Sequence, residues 1–169
     1  MRAKWRDAVA RSAEAMTIFM AKALVKNSFA NKVFFCNSGT EAIEAAIKLS
    51  RRYSREVLKK DRFEIITMTG SFHGRTYGAV SATAQEKFHQ GFEPMLPGFR
   101  FVPFNDVKAV EAAVNERTCA ILVEPVQGEG GVNVAAPGYL KALREICNRN
   151  QLLLVLDEIQ TGMGRTGRL

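Results

Sequence analysis

The chain has 169 residues, 47% of them hydrophobic, which is enough for a packed core and too much for a disordered chain. No apolar run exceeds that at 152–156, far too short to cross a bilayer. The net charge of +7 sits in residues 1–62, with 14 basic and 6 acidic residues, whereas 63–169 hold 10 and 11. A basic stretch attracts nucleic acid or an anionic membrane, but these cations are not interleaved with aromatics as in a single-strand binder. A solvated helix face is the better reading, and neither nucleic acid nor membrane is expected as a partner.

Taken in chain order, the apolar spacing alternates between helical and extended periods. Residues 8–26 read as a helix. Residues 1–30 as a whole are a helical segment of uncertain status: they are basic and partly amphipathic like a targeting peptide, but Asp7 and Glu14 count against that. Residues 33–36 form a short apolar run, hence a buried strand. The stretch 40–58 is helical, with Ala42, Ala46, Leu49 and Tyr53 near one face. A strand at 63–68 runs into the glycine-punctuated loop TGSFHGRTYG. A short strand at 100–104 precedes a helix capped by Asn105 or Asp106 and running to about Val114. A strand at 118–123 stops at Glu124-Pro125, and the loop QGEGG follows. Pro137 suits the first turn of a helix reaching about Arg149. A last strand at 151–156 ends at Asp157-Glu158. Strands separated by such helices predict an α/β fold of βαβ units, a mostly parallel sheet with helices on both faces.

The three cysteines, Cys36, Cys119 and Cys147, are too few and too odd in number for a disulfide framework, which points to a reducing, cytoplasmic setting with organellar targeting left open. Cys36 and Cys119 fall in apolar runs and are expected as small buried thiols. The two histidines, His73 and His89, come without CxxC or HExxH spacing, so no metal site is expected.

In open parallel sheets ligands bind beyond the carboxyl ends of the strands. Four predicted strands end in polar sequence: Asn37-Ser38-Gly39-Thr40, the 70–75 loop, Glu124, and Asp157 to Gln160. Ser38-Gly39-Thr40 opens a helix, where free N–H groups and the dipole favour an anion such as phosphate; a plain cap with Glu41 at the third position explains it equally simply. Phe72 and His73 taken singly read as core or structural residues, and Arg75 as either a carboxylate clamp or an idle loop cation. Asp157, closing an apolar run, wants a cationic partner, either a protonated cofactor ring or an arginine of the chain. Residues 162–167 match GxGxxG, but that fingerprint should follow a strand directly and open a helix, which the surrounding sequence does not favour.

Together these stretches resemble the class III aminotransferases of fold type I, with pieces like those of acetylornithine and ornithine aminotransferases. The resemblance lies in VFFCNSGTEAIEAAIKLSR (33–51), SFHGRTYGA (71–79), FEPMLPGF (92–99), LVEPVQGEGGV (122–132) and DEIQTGMGRTG (157–167), in the family's order. It implies that residues 31–169 are part of the large, three-layered domain that binds pyridoxal 5'-phosphate (PLP), within a homodimer. It implies that Ser38, Gly39 and Thr40 hold the phosphate, that Phe72 stacks on the ring with His73 beside it, and that Glu124 lies near cofactor and substrate. Asp157 then meets the pyridine nitrogen and Gln160 the ring hydroxyl. Arg75 receives the substrate carboxylate, and Glu129 pairs with an arginine late in the full-length enzyme, on the substrate side. The implied reaction moves an amino group from N-acetylornithine or an ornithine-like ω-amino donor to 2-oxoglutarate, as in arginine biosynthesis. The family's Schiff-base lysine lies beyond Leu169, so the catalytic position is absent and the chain is expected to be an inactive fragment. The alternative is a non-catalytic product with weak PLP binding or a dimerisation surface. Ile43 stands where the family often has Asn. An incomplete sheet exposes an edge and an apolar face, so poor solubility is expected of the chain alone.

Overall fold

The computed structural model describes residues 2–167, with side chains from residue 14 onward. Its contacts separate two compact units, Met1–Phe35 and Cys36–Thr166. In the first, helix α1 spans Arg2–Lys26, beginning earlier than its apolar spacing suggests. Asn27 closes it, its N–H and its side-chain amide both donating to the Ala23 carbonyl. The strand expected at 33–36 does not form. No ladder hydrogen bonds are made there among the described residues, and a lone strand leaves its backbone groups unpaired. Cys36 is accordingly exposed rather than buried.

The second unit is built on a four-stranded parallel sheet. Its strands are β1 (Glu64–Met68), β2 (Phe99–Val102), β3 (Thr118–Val123) and, last in the chain, β6 (Leu153–Leu156), in the order β2-β1-β3-β6. A two-residue hairpin, β4 (Val126–Gln127) with β5 (Asn133–Val134), stands apart from it. The helices are α2 (Gly39–Glu56), α3 (Tyr77–Ala82), α4 (Val107–Ala113) and α5 (Tyr139–Asn150).

The sheet is buried on both faces, and the period of two sorts its side chains. Ile65, Ala120 and Leu122 pack with Ile43 and Ile47 of α2 and Ala79 and Ala82 of α3. Ile66, Met68, Ile121 and Val123 pack with Val110 of α4 and Leu143, Ile146 and Cys147 of α5. Three layers result, as the βαβ reading requires.

The buried stripe of α2 is Ile43, Ile47, Ser50 and Ser54, one residue on from the face expected from its alanines, and Leu49 is left 64% exposed. The wider β-branched side chains take the sheet side, where they bury more area, and the serines satisfy themselves by donating to the carbonyls of Ala46 and Lys60. Asp106, not Asn105, caps α4, accepting from the Ala109 N–H. Pro137 precedes the N-cap Gly138 and so lies just outside the first turn of α5.

Candidate active site

Because β1, β3 and β6 are parallel, the segments that follow them meet at one edge. There the 70–75 loop, Glu124 and Asp157 converge on the start of α2. They enclose a cavity of about 70 Å³ lined by Gly39, Thr40, Phe72, His73, Gly74, Glu124, Asp157, Ile159 and Gln160.

The start of α2 follows the capping logic of its sequence. Ser38 is the N-cap, its hydroxyl oxygen accepting from the Glu41 N–H at 3.4 Å. Glu41 reaches back to accept from the Asn37 N–H at 2.6 Å, and that bond holds its carboxyl below the ordinary range. The plain cap is therefore real, and it does not exhaust the helix end. First-turn N–H groups, such as those of Gly39 and Thr40, have no acceptor inside a helix and point at the cavity's anion-favouring end. Glycine is required at 39 because a Cβ there would sit 2.8 Å from the Ile159 side chain.

Gly74 has φ +123, and a Cβ there would collide with the Thr40 hydroxyl. That close approach locks the 70s loop onto α2. Thr76 extends the lock, its N–H donating to the Thr40 hydroxyl at 3.2 Å and its own hydroxyl donating to Glu44 at 2.6 Å. Glu44 also accepts from the Gly78 and Ala79 N–H groups at 2.8 and 3.1 Å and so caps α3.

On the cavity floor, His73 Nδ1 and Asp157 Oδ2 lie 2.7 Å apart, with side chains 0% and 3% exposed. An ionised carboxylate only accepts, so the ring N–H donates to it. The other Asp157 oxygen accepts from the Ile159 N–H at 3.2 Å. His73 is placed by its own N–H, which donates to the Thr83 hydroxyl at 2.9 Å, while its Nε2 is buried without a partner. Glu124 is 4% exposed and accepts from the Phe72 N–H at 3.0 Å. Burial pushes its carboxyl up to about 7, Asp157 adds to the rise, and the Phe72 N–H and His73 oppose it. Two carboxylates, one shared histidine and an open helix end thus give a cavity acidic at its floor and anion-seeking at one wall.

The remaining candidates stand further out. Gln160 lines the cavity but is exposed, its side-chain oxygen against Gly128. Ser38 is exposed beside the lining. Arg75 is exposed and has no carboxylate partner among the described residues; its guanidinium lies 5.6 Å from the Phe72 ring centroid and 4.2 Å from that of Phe88. Glu129 is exposed and does not line the cavity. The GxGxxG match falls in turns spanning 159–166, with no strand before it and no helix after it, so the dinucleotide reading is excluded.

The family model described as Aminotransferase class-III matches residues 8–169. The chain belongs to the class-III aminotransferases. An acetylornithine aminotransferase from Caldanaerobacter subterraneus subsp. tengcongensis is 55% identical over 152 residues, covering 90% of this chain and 39% of that protein. Among solved structures, an ornithine aminotransferase from Toxoplasma gondii with partial occupancy of PLP at its active site matches with TM-score 0.84 and 39% identity, over 88% of this chain and 36% of that one. An N-acetylornithine aminotransferase from Stenotrophomonas maltophilia matches with TM-score 0.68 and 43% identity, over 89% and 36%. The chain thus spans about 39% of the curated relative's length. Its sheet is correspondingly part of the large aminotransferase domain. No helix among the described residues is long and apolar enough to cross a membrane.

Sequence reasoning passed over Ile159, Gly74 and Thr83. Gly74 carried a signal, since a glycine between His73 and Arg75 marks either a positive φ or a close approach, and here it is both. Ile159 and Thr83 carried none, because their role depends on which element packs opposite them.

Proposed function

We propose that this chain is the cofactor-binding part, residues 31–169, of a PLP-dependent aminotransferase. It would transfer the amino group of N-acetylornithine, ornithine or a similar ω-amino donor to 2-oxoglutarate, in the manner of arginine biosynthesis, in the cytoplasm and as a homodimer. The observation that carries the reading is the buried Asp157–His73 pair on the floor of a cavity whose wall is the open N-terminus of α2. The acetylornithine and ornithine aminotransferases it matches support the substrate class.

The residues present suit PLP. A phosphate needs N–H donors, which the first turn of α2 offers through Gly39 and Thr40, with the Ser38 hydroxyl beside them. A heteroaromatic ring needs a flat apolar neighbour, and Phe72 and Ile159 both line the cavity. A basic ring nitrogen needs a buried acid, and Asp157 is one. Bound there, PLP would supply the electron sink that delocalises the pair left when a substrate C–H bond is broken.

The chain's own residues have distinct tasks on this reading. Asp157, held ionised by the His73 and Ile159 N–H donors, keeps a proton on the ring nitrogen. His73 fixes the rotamer of Asp157. Glu124, protonated or not near neutral pH, faces substrate and Phe72. Gln160 reaches for the ring hydroxyl, Arg75 for a substrate carboxylate, and Glu129 serves the substrate side. No lysine is among the residues lining the cavity, so these residues hold the cofactor without a covalent link. That same absence favours, for the chain by itself, binding without turnover.

The test is a titration of the chain with PLP and with pyridoxal, followed by tryptophan-independent absorbance of the bound cofactor. Saturable binding of PLP, weaker for pyridoxal and at least about tenfold weaker in Asp157→Ala, agrees with the reading. Equal binding by wild type and Asp157→Ala overturns it.

A further inference from the structure

A second cation stands beside Arg75 and has no place in the roles described so far. The Lys87 ammonium lies 4.7 Å from the centroid of the Phe88 ring, and the Arg75 guanidinium lies 4.2 Å from the same centroid. The two charges can be no further apart than the sum of those distances, comparable with the screening length at physiological salt. Both side chains are exposed, and neither makes an ion pair with an acidic residue among the described residues. Two like charges gathered on one ring repel unless an anion bridges them. The ring is tied to the cavity: Phe88 meets Phe72 edge-on at 5.4 Å between centroids, and Phe72 lines the cavity wall.

We propose that Lys87 and Arg75 together form a two-point carboxylate rim at the mouth of the cavity, selecting a dicarboxylate co-substrate over a monocarboxylate. The inference rests on the aminotransferase reading and deepens it by giving Lys87 a specificity role. The arrangement is complementary in charge to a dicarboxylic amino acid or its oxo acid. The acidic floor of Asp157 and Glu124 faces an amino group or ring nitrogen, and the cationic rim faces carboxylates. One cation suffices for one carboxylate. A second, held on the far contact of the same ring, has a partner only if the ligand carries a second carboxylate. Stacking on Phe88 orders the otherwise flexible lysine stem, which lowers the entropic cost of that contact.

The experiment compares binding of glutarate, butyrate and inorganic phosphate to the full chain saturated with PLP, by calorimetry at low ionic strength, for wild type, Lys87→Met, Lys87→Arg and Arg75→Met. An exposed charge contact predicts glutarate binding about fivefold weaker in Lys87→Met, with butyrate unchanged, recovery in Lys87→Arg, and loss of the difference in high salt. Equal weakening of glutarate and butyrate in Lys87→Met, or weakening of neither, overturns the rim. A change in phosphate affinity alone also overturns it, since the cations would then serve an inorganic anion. Arg75→Met separates this inference from the reading beneath it. If that variant weakens both carboxylates while Lys87→Met weakens neither, only the role of Lys87 fails. If wild type binds no carboxylate, or Arg75→Met changes nothing, the substrate side of the aminotransferase reading fails as well.

Discussion

Replacing Glu124 by glutamine should stabilise the protein, and only above mildly acidic pH. The side chain is 4% exposed, and burial lifts its carboxyl from 4.5 to about 7. Below pH 4.5 the group is protonated in both folded and unfolded chains, and ionisation costs nothing. Between 4.5 and about 7 the unfolded chain releases a proton that the folded chain keeps, so stability falls as pH rises. Above 7 the full cost is present, on the order of 3 kcal/mol. Glutamine has the same shape, keeps an oxygen to accept from the Phe72 N–H, and never ionises. Urea unfolding of wild type and Glu124→Gln at pH 5 and pH 8 isolates the effect, because the other titrating groups are shared by both proteins. The stability difference should move by about 2–3 kcal/mol in favour of glutamine between the two pH values. A difference that stays constant with pH would refute the reasoning and mean that Glu124 ionises in the folded protein as it does in water.

The thiols should divide sharply. Cys36 is exposed, whereas Cys119 and Cys147 are buried with thiols pushed up to about 11, so an aromatic disulfide reagent at pH 8 should titrate one thiol quickly and two only after denaturation. Gly74→Ala combines a φ of +123 with a clash against Thr40, and should cost about 1–3 kcal/mol in chemical unfolding and loosen PLP binding at α2. Leu143→Ala removes a fully buried side chain between α5 and the sheet, and a loss of about 2–5 kcal/mol is expected; a loss below 1 kcal/mol would mean the α5 face is not packed as described.

The elements that sequence located well are those whose pattern is locally over-determined. β3 matches its expected bounds, since six consecutive residues of a buried parallel strand admit no other period. The helix after Asp106 follows from a side chain that can cap it and a glycine-free run behind. The misses share a cause. Residues 33–36 are as apolar as β6, yet a strand exists only where a neighbour supplies hydrogen bonds, and apolarity carries no information about that. The face of α2 came out one residue off because alanine is neutral about burial, and the sheet chose Ile43 and Ile47. The hairpin of β4 and β5 is two residues deep and left no periodic trace.

For the site, sequence order determined the residue types. An N-cap serine before glycine and threonine, a carboxylate closing each of two apolar runs, and a histidine in a glycine-rich loop are all local facts, and they sufficed to suggest the family. Which of those groups touch was decided by the sheet. Residues 73 and 157 are 84 positions apart, and only parallel pairing of β1, β3 and β6 brings their segments to one edge, where His73 and Asp157 bond. The same packing withdrew Glu124 from water and so raised its carboxyl, and it set Lys87 beside Arg75 on one ring. Local sequence fixes what each side chain can do, because its chemistry is covalent. Tertiary structure fixes what each one does, because charge, hydrogen bonding and burial depend on neighbours that the chain brings in from far away.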